Sequence, residues 1–248
     1  MQNPFIWHDL MTTNVEAAKK FYGAVIGWTF TSQMQDYTVA NVDGIGMGGI
    51  MATPPEMKAM PPVWNGYVFT SDVDAASAQA VKLGGKIYRS AWDIPEVGRM
   101  AVIGDPSGAA FIVMQPFSTQ QQPEPKFGTV GTVGWNELHA GDLSTAWEFY
   151  SKLFGWTKGD AHDMGPMGTY QLFQIDGKDV GGMMKKMDST PLATWTYYFN
   201  VDGINAAAAR ITEAGGKVVM GPHQVPGGNW IVSGVDPQGA SFSLTSLS

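Results

Sequence analysis

Cysteine is absent from the 248 residues. That excludes disulfides, thiolate-held zinc, iron–sulfur clusters and a thiol nucleophile. Positive charge is scarce: 15 lysines and arginines stand against 22 aspartates and glutamates, for a formal charge of −7. A nucleic-acid groove needs a basic field, so no nucleic-acid partner is expected. No uninterrupted apolar run approaches the roughly 20 residues that span a bilayer, so no membrane partner is expected either. The opening Met-Gln-Asn-Pro-Phe-Ile-Trp-His has neither a basic stretch nor an apolar core, and no signal peptide is predicted. These absences point to a soluble, cytoplasmic protein. Charged residues make up only 15% and hydrophobic residues 44%, the balance of a packed chain rather than a disordered one. Glycine (31) and proline (15) are abundant, which predicts many tight turns and short elements.

The chain repeats itself. Residues 7–28 read WHDLMTTNVEAAKKFYGAVIGW and residues 135–156 read WNELHAGDLSTAWEFYSKLFGW. Trp7, Leu10, Ala18, Phe21, Tyr22, Gly27 and Trp28 thereby match Trp135, Leu138, Ala146, Phe149, Tyr150, Gly155 and Trp156. The match resumes with Asp43, Gly44, Gly48, Gly49 and Met51 on Asp176, Gly177, Gly181, Gly182 and Met184. It resumes again from Trp64 on Trp195 to Asp105, Pro106, Gly108 and Phe111 on Asp236, Pro237, Gly239 and Phe242. The offset shifts only between blocks, as loop insertions would make it do. Two duplicated modules follow, 1–117 and 128–248, joined by a polar Pro/Gln linker over 118–127.

Each module looks doubled in turn. Segment 4–12 can alternate as a strand. Asn14 then caps a helix whose Ala18, Phe21, Tyr22, Val25 and Ile26 share one face, and Gly27 ends it. Strand-like runs follow at 28–34, 37–42 and 45–52. The pattern restarts with strand 66–71, a helix capped by Asp74, and runs 86–92, 99–104 and 109–115. Asp142 and Asn205 are the caps expected in the second module. The reading is four βαβββ units, an α+β fold in which each helix covers one face of its sheet. Pairing two units would make a curved cup with a ligand-sized hollow. Whether the first unit shares its cup with the second or with the fourth is left open.

The strand–Asn/Asp–helix–Phe-Tyr–Gly-Trp openings and the Asp-Pro-x-Gly turns resemble the vicinal oxygen chelate superfamily, which contains glyoxalase I, bleomycin-resistance proteins and extradiol dioxygenases. The resemblance covers nearly the whole chain. It implies two tandem glyoxalase-like modules with mixed-sheet cups. Metal-using members hold their ion on His or Glu at set points of the cup strands. Those points here are Trp7 and Trp135, Tyr67 and Tyr198, Ile112 and Ser243, and the runs Gly48-Gly49-Ile50 and Gly181-Gly182-Met183. None suits a divalent cation. The expectation is therefore no metal and no other cofactor, with a divalent metal as the less favoured alternative.

Strand parity sets Asp9 and Met11 on the face of Trp7, and Glu137 and His139 on the face of Trp135. With Tyr67 and Tyr198 these residues form the expected ligand-binding lining: aromatic, with a carboxylate in each module. A small planar or apolar organic molecule is the expected partner of a monomer or homodimer. Equally, Trp7 and Trp135 could fill the cups as core. A carboxylate among indoles favours a raised pKa, so Glu137, with His139 or a tyrosine, is the candidate acid/base pair of a lyase or isomerase related to lactoylglutathione lyase. His8 has the wrong parity, His162 reads as a polar loop and His223 as a late strand or loop. Gly44, Gly46 and Gly49 space as G-x-G-x-x-G, but strand-like residues follow, so close backbone approach explains them better than a phosphate loop. Methionines 47, 51, 183 and 184 could border the cavities and suit a varied apolar ligand.

Overall fold

The computed structural model describes residues 2–34, 36–118, 126 and 128–248. Apart from Ser118 and Lys126, the expected linker lies outside them. The first unit is β1 (Phe5–Thr12), α1 (Val15–Ile26), β2 (Thr29–Met34), β3 (Tyr37–Val42) and β4 (Ile45–Ala52). The second is β5 (Val63–Phe69), α2 (Val73–Lys82), β6 (Lys86–Ile94), β7 (Gly98–Gly104) and β8 (Ala110–Pro116). The third is β9 (Val133–Ala140), α3 (Leu143–Phe154), β10 (Thr157–Asp163), β11 (Thr169–Ile175) and β12 (Lys178–Lys185). The fourth is β13 (Thr194–Asn200), α4 (Ile204–Glu213), β14 (Lys217–Gln224), β15 (Trp230–Val235) and β16 (Ser241–Ser246).

Local chemistry accounts for these elements. The Asn14 side chain accepts a hydrogen bond from the Ala17 N–H, and Asp142 does the same for Thr145. Gly27 (φ 92°) and Gly155 (φ 72°) close the same two helices in the left-handed conformation. The other two caps differ from the sequence reading. Asp72, not Asp74, accepts from the Ala75 N–H, while Asp74 sits in the first turn and binds Arg99. The fourth helix starts at Gly203, which offers no side chain, and Asn205 lies inside it. There the Ile204 N–H donates to the Ser248 carbonyl at 2.9 Å, so the chain end satisfies the helix start. Asp43-Gly44 and Asp176-Gly177 (φ 50° and 79°, 49° and 76°) make matching two-residue hairpins before β4 and β12. The glycine run thus enters a strand, as its residues imply, and not a phosphate-binding helix.

Two mixed eight-stranded sheets result, in the orders β2-β3-β4-β1-β5-β8-β7-β6 and β10-β11-β12-β9-β13-β16-β15-β14. Each sheet takes its strands from one module. The compact units do not follow that division. One gathers the segment from Gly66 through β8 with Trp135–Trp195 and the N-terminal residues to Ile6. The other gathers Trp7–Asn65 with Thr196–Ser248. Among the described residues, no helix is long and apolar enough to cross a membrane.

Each compact unit is held by the motifs that repeat. In one, the Tyr150 hydroxyl donates to Asp105 Oδ2 (3.3 Å) and accepts from the Trp195 indole (3.0 Å). In the other, Tyr22 donates to Asp236 Oδ2 (3.1 Å) and accepts from Trp64 (3.0 Å). The second oxygen of each aspartate accepts two backbone N–H groups of its own turn. Trp156 lies flat between Tyr150 (5.5 Å, 7°) and Phe173 (4.5 Å, 13°), so the Gly-Trp tryptophan is core. The tyrosine of one module thus meets the aspartate of the other module's turn.

Burial raises the pKa of both Asp105 and Asp236, against the pull of their donated hydrogen bonds. A carboxyl whose folded pKa lies above its unfolded value favours the fold most below the unfolded pKa, about 4. That contribution is lost as the pH rises through the folded pKa. Asp74, Asp142, Glu148 and Asp202 are shifted the other way and act alike in both proteins, so the urea midpoint of the native protein is expected to fall, with rising pH across that window, relative to that of the Asp105→Asn/Asp236→Asn double variant. Parallel profiles for the two proteins would refute the assignment.

Candidate functional site

In both modules the first strand pairs in parallel with the fourth. Asp9 stands opposite Gly49 and Glu137 opposite Gly182. Alternation then sorts the faces. Leu10, Ile50, Leu138 and Met183 are fully buried on one side. Half-buried Trp7 and Trp135 lie on the other, with Asp9 and Glu137. His8 falls on the opposite face, as its parity requires, and packs edge-on against Tyr197 at 4.6 Å.

In the first module, Trp7 Nε1 donates to Asp9 Oδ1 (2.7 Å) and to the Tyr37 hydroxyl (2.8 Å). Tyr37 in turn donates to the same Asp9 oxygen at 2.7 Å. Burial, then the Asp9 charge, pushes the Tyr37 hydroxyl far above the ordinary tyrosine range, so it stays a donor. In the second module the longer carboxylate opens the cluster into a chain. Trp135 Nε1 donates to the Tyr170 hydroxyl (2.7 Å), and Tyr170 donates to Glu137 Oε2 (2.7 Å). Glu137 Oε1 lies 3.0 Å from His139 Nε2. The His139 side chain is 31% exposed and that of Glu137 11%. At the place of His139 the first module has Met11, buried beside Met51.

The glycines make these contacts. A Cβ on Gly49 would sit 2.1 Å from the Tyr37 hydroxyl and 2.3 Å from Asp9 Oδ1. A Cβ on Gly182 would sit 2.3 Å from the Tyr170 ring. Each tyrosine therefore occupies the space that a side chain at Gly49 or Gly182 would fill.

The structure brings together Trp7 with Asp9, and Trp135 with Glu137 and His139. Tyr67 is buried in the compact unit that lacks Trp7 and Asp9, in register with Ile112. Tyr198 is buried in the unit that lacks Trp135 and Glu137, in register with Ser243. Tyr67 and Tyr198 stand seven residues before Asp74 and Asn205, the caps expected from the sequence, so the observed caps move this position. Trp7 stands seven residues before Asn14, and seven before Asp72 and Gly203 come Asn65 and Thr196. Both share a strand face with the tyrosines. Tyr37 and Tyr170 were missed by sequence reasoning, although Tyr170 follows Tyr37 at the same offset as Gly182 follows Gly49. His162 is not in a loop: it lies on β10, in register with Tyr170. Among the described residues, no three His, Asp or Glu side chains cluster as a metal site would need.

Comparison with known proteins identifies the family. The sequence model of the Glyoxalase/Bleomycin resistance protein/Dioxygenase superfamily matches residues 5–113 and 132–244. CFP32 of Mycobacterium tuberculosis (strain CDC 1551 / Oshkosh), provisionally named a glyoxylase, is 34% identical over 96% of this chain and 92% of its own length. The anthracycline biosynthesis protein DnrV of Streptomyces peucetius is 30% identical over 97% of this chain and 92% of its own. Among solved structures, the Mn(II)-bound glyoxalase from Novosphingobium aromaticivorans has a TM-score of 0.69 at 17% identity, covering 99% of this chain and 82% of that one. At such identity the likeness establishes the fold alone.

Proposed function

Because the chain belongs to the glyoxalase/bleomycin resistance protein/dioxygenase superfamily, we propose that it binds a small, planar, largely apolar organic molecule in its second module, without a metal. The observation that carries this reading is the Trp135–Tyr170–Glu137–His139 chain. An indole face offers stacking area, and the polar chain behind it offers oriented groups for a ligand hydroxyl or carbonyl. A glyoxalase of the same fold binds Mn(II), but these residues do not suit a divalent ion. Indole nitrogen only donates, Gly182 brings no side chain, and Glu137 with His139 supplies two ligands at most.

The relative named for anthracycline biosynthesis makes a planar hydroxylated polycycle the first ligand class to try. Quinizarin, a dihydroxyanthraquinone, is expected to bind the second module, and Trp135→Ala to weaken that binding about tenfold or more. Calorimetric titration checks both. No binding, or equal binding by the variant, would defeat the proposal, as would near-stoichiometric divalent metal in protein purified without chelator.

A second reading is favoured by the 3.0 Å Glu137–His139 contact. Glu137 as base and His139 as acid would make the chain a glyoxalase-like lyase or isomerase, in line with the glyoxylase name of a relative. Its test is consumption of the hemithioacetal formed from methylglyoxal and a thiol, lost in Glu137→Gln while binding survives. Absence of any product in the native protein sinks that reading alone.

A further inference from the structure

The two modules differ in length at one informative place. Trp28 and Tyr37 are nine residues apart, whereas Trp156 and Tyr170 are fourteen apart. The extra residues of the second module contain a short helical turn, Gly165–Met167, between β10 and β11. Across from that turn runs the end of β12 and the segment after it. Together Pro166, Met167, Met184, Lys185, Lys186, Met187 and Asp188 wall a half-open depression of about 230 Å³. Met167 is 49% exposed and Met187 63% exposed, so both can be reached by a ligand from solvent.

The depression adjoins the candidate site. Met184 stands opposite His139 in the β12–β9 ladder. It has the parity of Gly182, whose missing Cβ points at Tyr170, while Met183 between them is fully buried on the other face. Met184 therefore borders both the polar chain and the methionine-walled depression. Methionine side chains adapt to irregular apolar shapes. Lys186 is turned back onto the Thr190 carbonyl, and Lys185 lies 3.6 Å from Asp188, so each ammonium has a partner in the same segment of chain.

We propose that this depression is a subsite of the second module that takes an apolar substituent, a short alkyl or single-ring group, of the ligand held at Trp135 and Tyr170. The proposal rests on the small-molecule reading of that site. It assigns the inserted turn a role in specificity: the ring system binds at the aromatic chain, and the substituent binds against the wall to which that turn contributes Pro166 and Met167.

Quinizarin and butyl-quinizarin, titrated by calorimetry into the intact protein, separate the two ideas. A buried methylene is worth about fourfold in affinity. Allowing for partial burial, the butyl compound is expected to bind about tenfold or more tightly than the parent. Met167→Ser and Met187→Ser should each lose part of that gain, and the double variant should lose nearly all of it while keeping the native affinity for quinizarin. Both residues are solvent-facing, so the fold is not at stake. Equal affinity of the native protein for the two compounds overturns the subsite and leaves the parent reading standing. So does a gain that survives in the double variant. Failure of both compounds to bind overturns the parent reading and this one with it.

Discussion

Replacing Tyr150 by alanine is expected to cost about 3–5 kcal/mol, a large part of the roughly 5–15 kcal/mol that holds a typical domain. The ring is fully buried and stacks on Trp156 with the planes only 7° apart. It also meets Trp195 edge-on at 5.3 Å and Phe111 at 5.5 Å. Truncation would leave a cavity that close-packed aromatic neighbours cannot collapse to fill. It would also remove the donor to Asp105 and the acceptor for the Trp195 indole. Tyr150→Phe keeps the packing and loses only the hydroxyl, so about 1–3 kcal/mol is expected from the two groups it leaves behind. Urea unfolding of the two variants checks the order. If alanine costs no more than phenylalanine, the stacked core is not what holds this unit.

Alanine at two adjacent glycines should have opposite consequences. At Gly181 a Cβ would meet the Asn136 carbonyl at 2.1 Å and the fully buried Phe173 ring at 2.3 Å. Neither can move without breaking the β9–β12 ladder or the core. Gly181→Ala should therefore unfold at markedly lower urea, about 3 kcal/mol or more below the native protein, beyond the usual cost of overpacking. At Gly182 the three atoms nearest the Cβ all belong to the Tyr170 side chain, and Tyr170 is half-buried. The tyrosine can swing out at modest cost, about 1–2 kcal/mol, but it then leaves Glu137 and Trp135. Gly182→Ala should keep its fold and lose quinizarin binding by about tenfold or more. Native affinity in Gly182→Ala would show that the tyrosine link does not shape the site.

The duplication, the four βαβββ units and the first-strand residues of each candidate site were legible in the sequence. Helix periodicity and strand alternation are local, and Trp7, Asp9, Trp135, Glu137 and His139 needed only parity to share a face. The caps at Asp72 and Gly203 were misplaced because Asp72 and Asp74 both offer a capping carboxylate, and only the end of the preceding strand selects between them. At Gly203 the acceptor is the sequence-distant Ser248 carbonyl, which no local pattern announces. His162 escaped as a strand residue because polar edge strands have no apolar alternation to reveal them.

By itself, then, the sequence determined the repeated architecture and which side chains of each first strand share a face. Tertiary structure alone decided who meets whom. The Phe-Tyr and Asp-Pro-x-Gly motifs are the same in both modules, so nothing local tells Tyr22 to choose Asp236 over Asp105. Likewise Tyr37 and Tyr170 reach their carboxylates across one intervening strand, through the space left by Gly49 and Gly182. Such contacts depend on the register of distant strands and on empty volume, and neither is written in the periodicity of one segment.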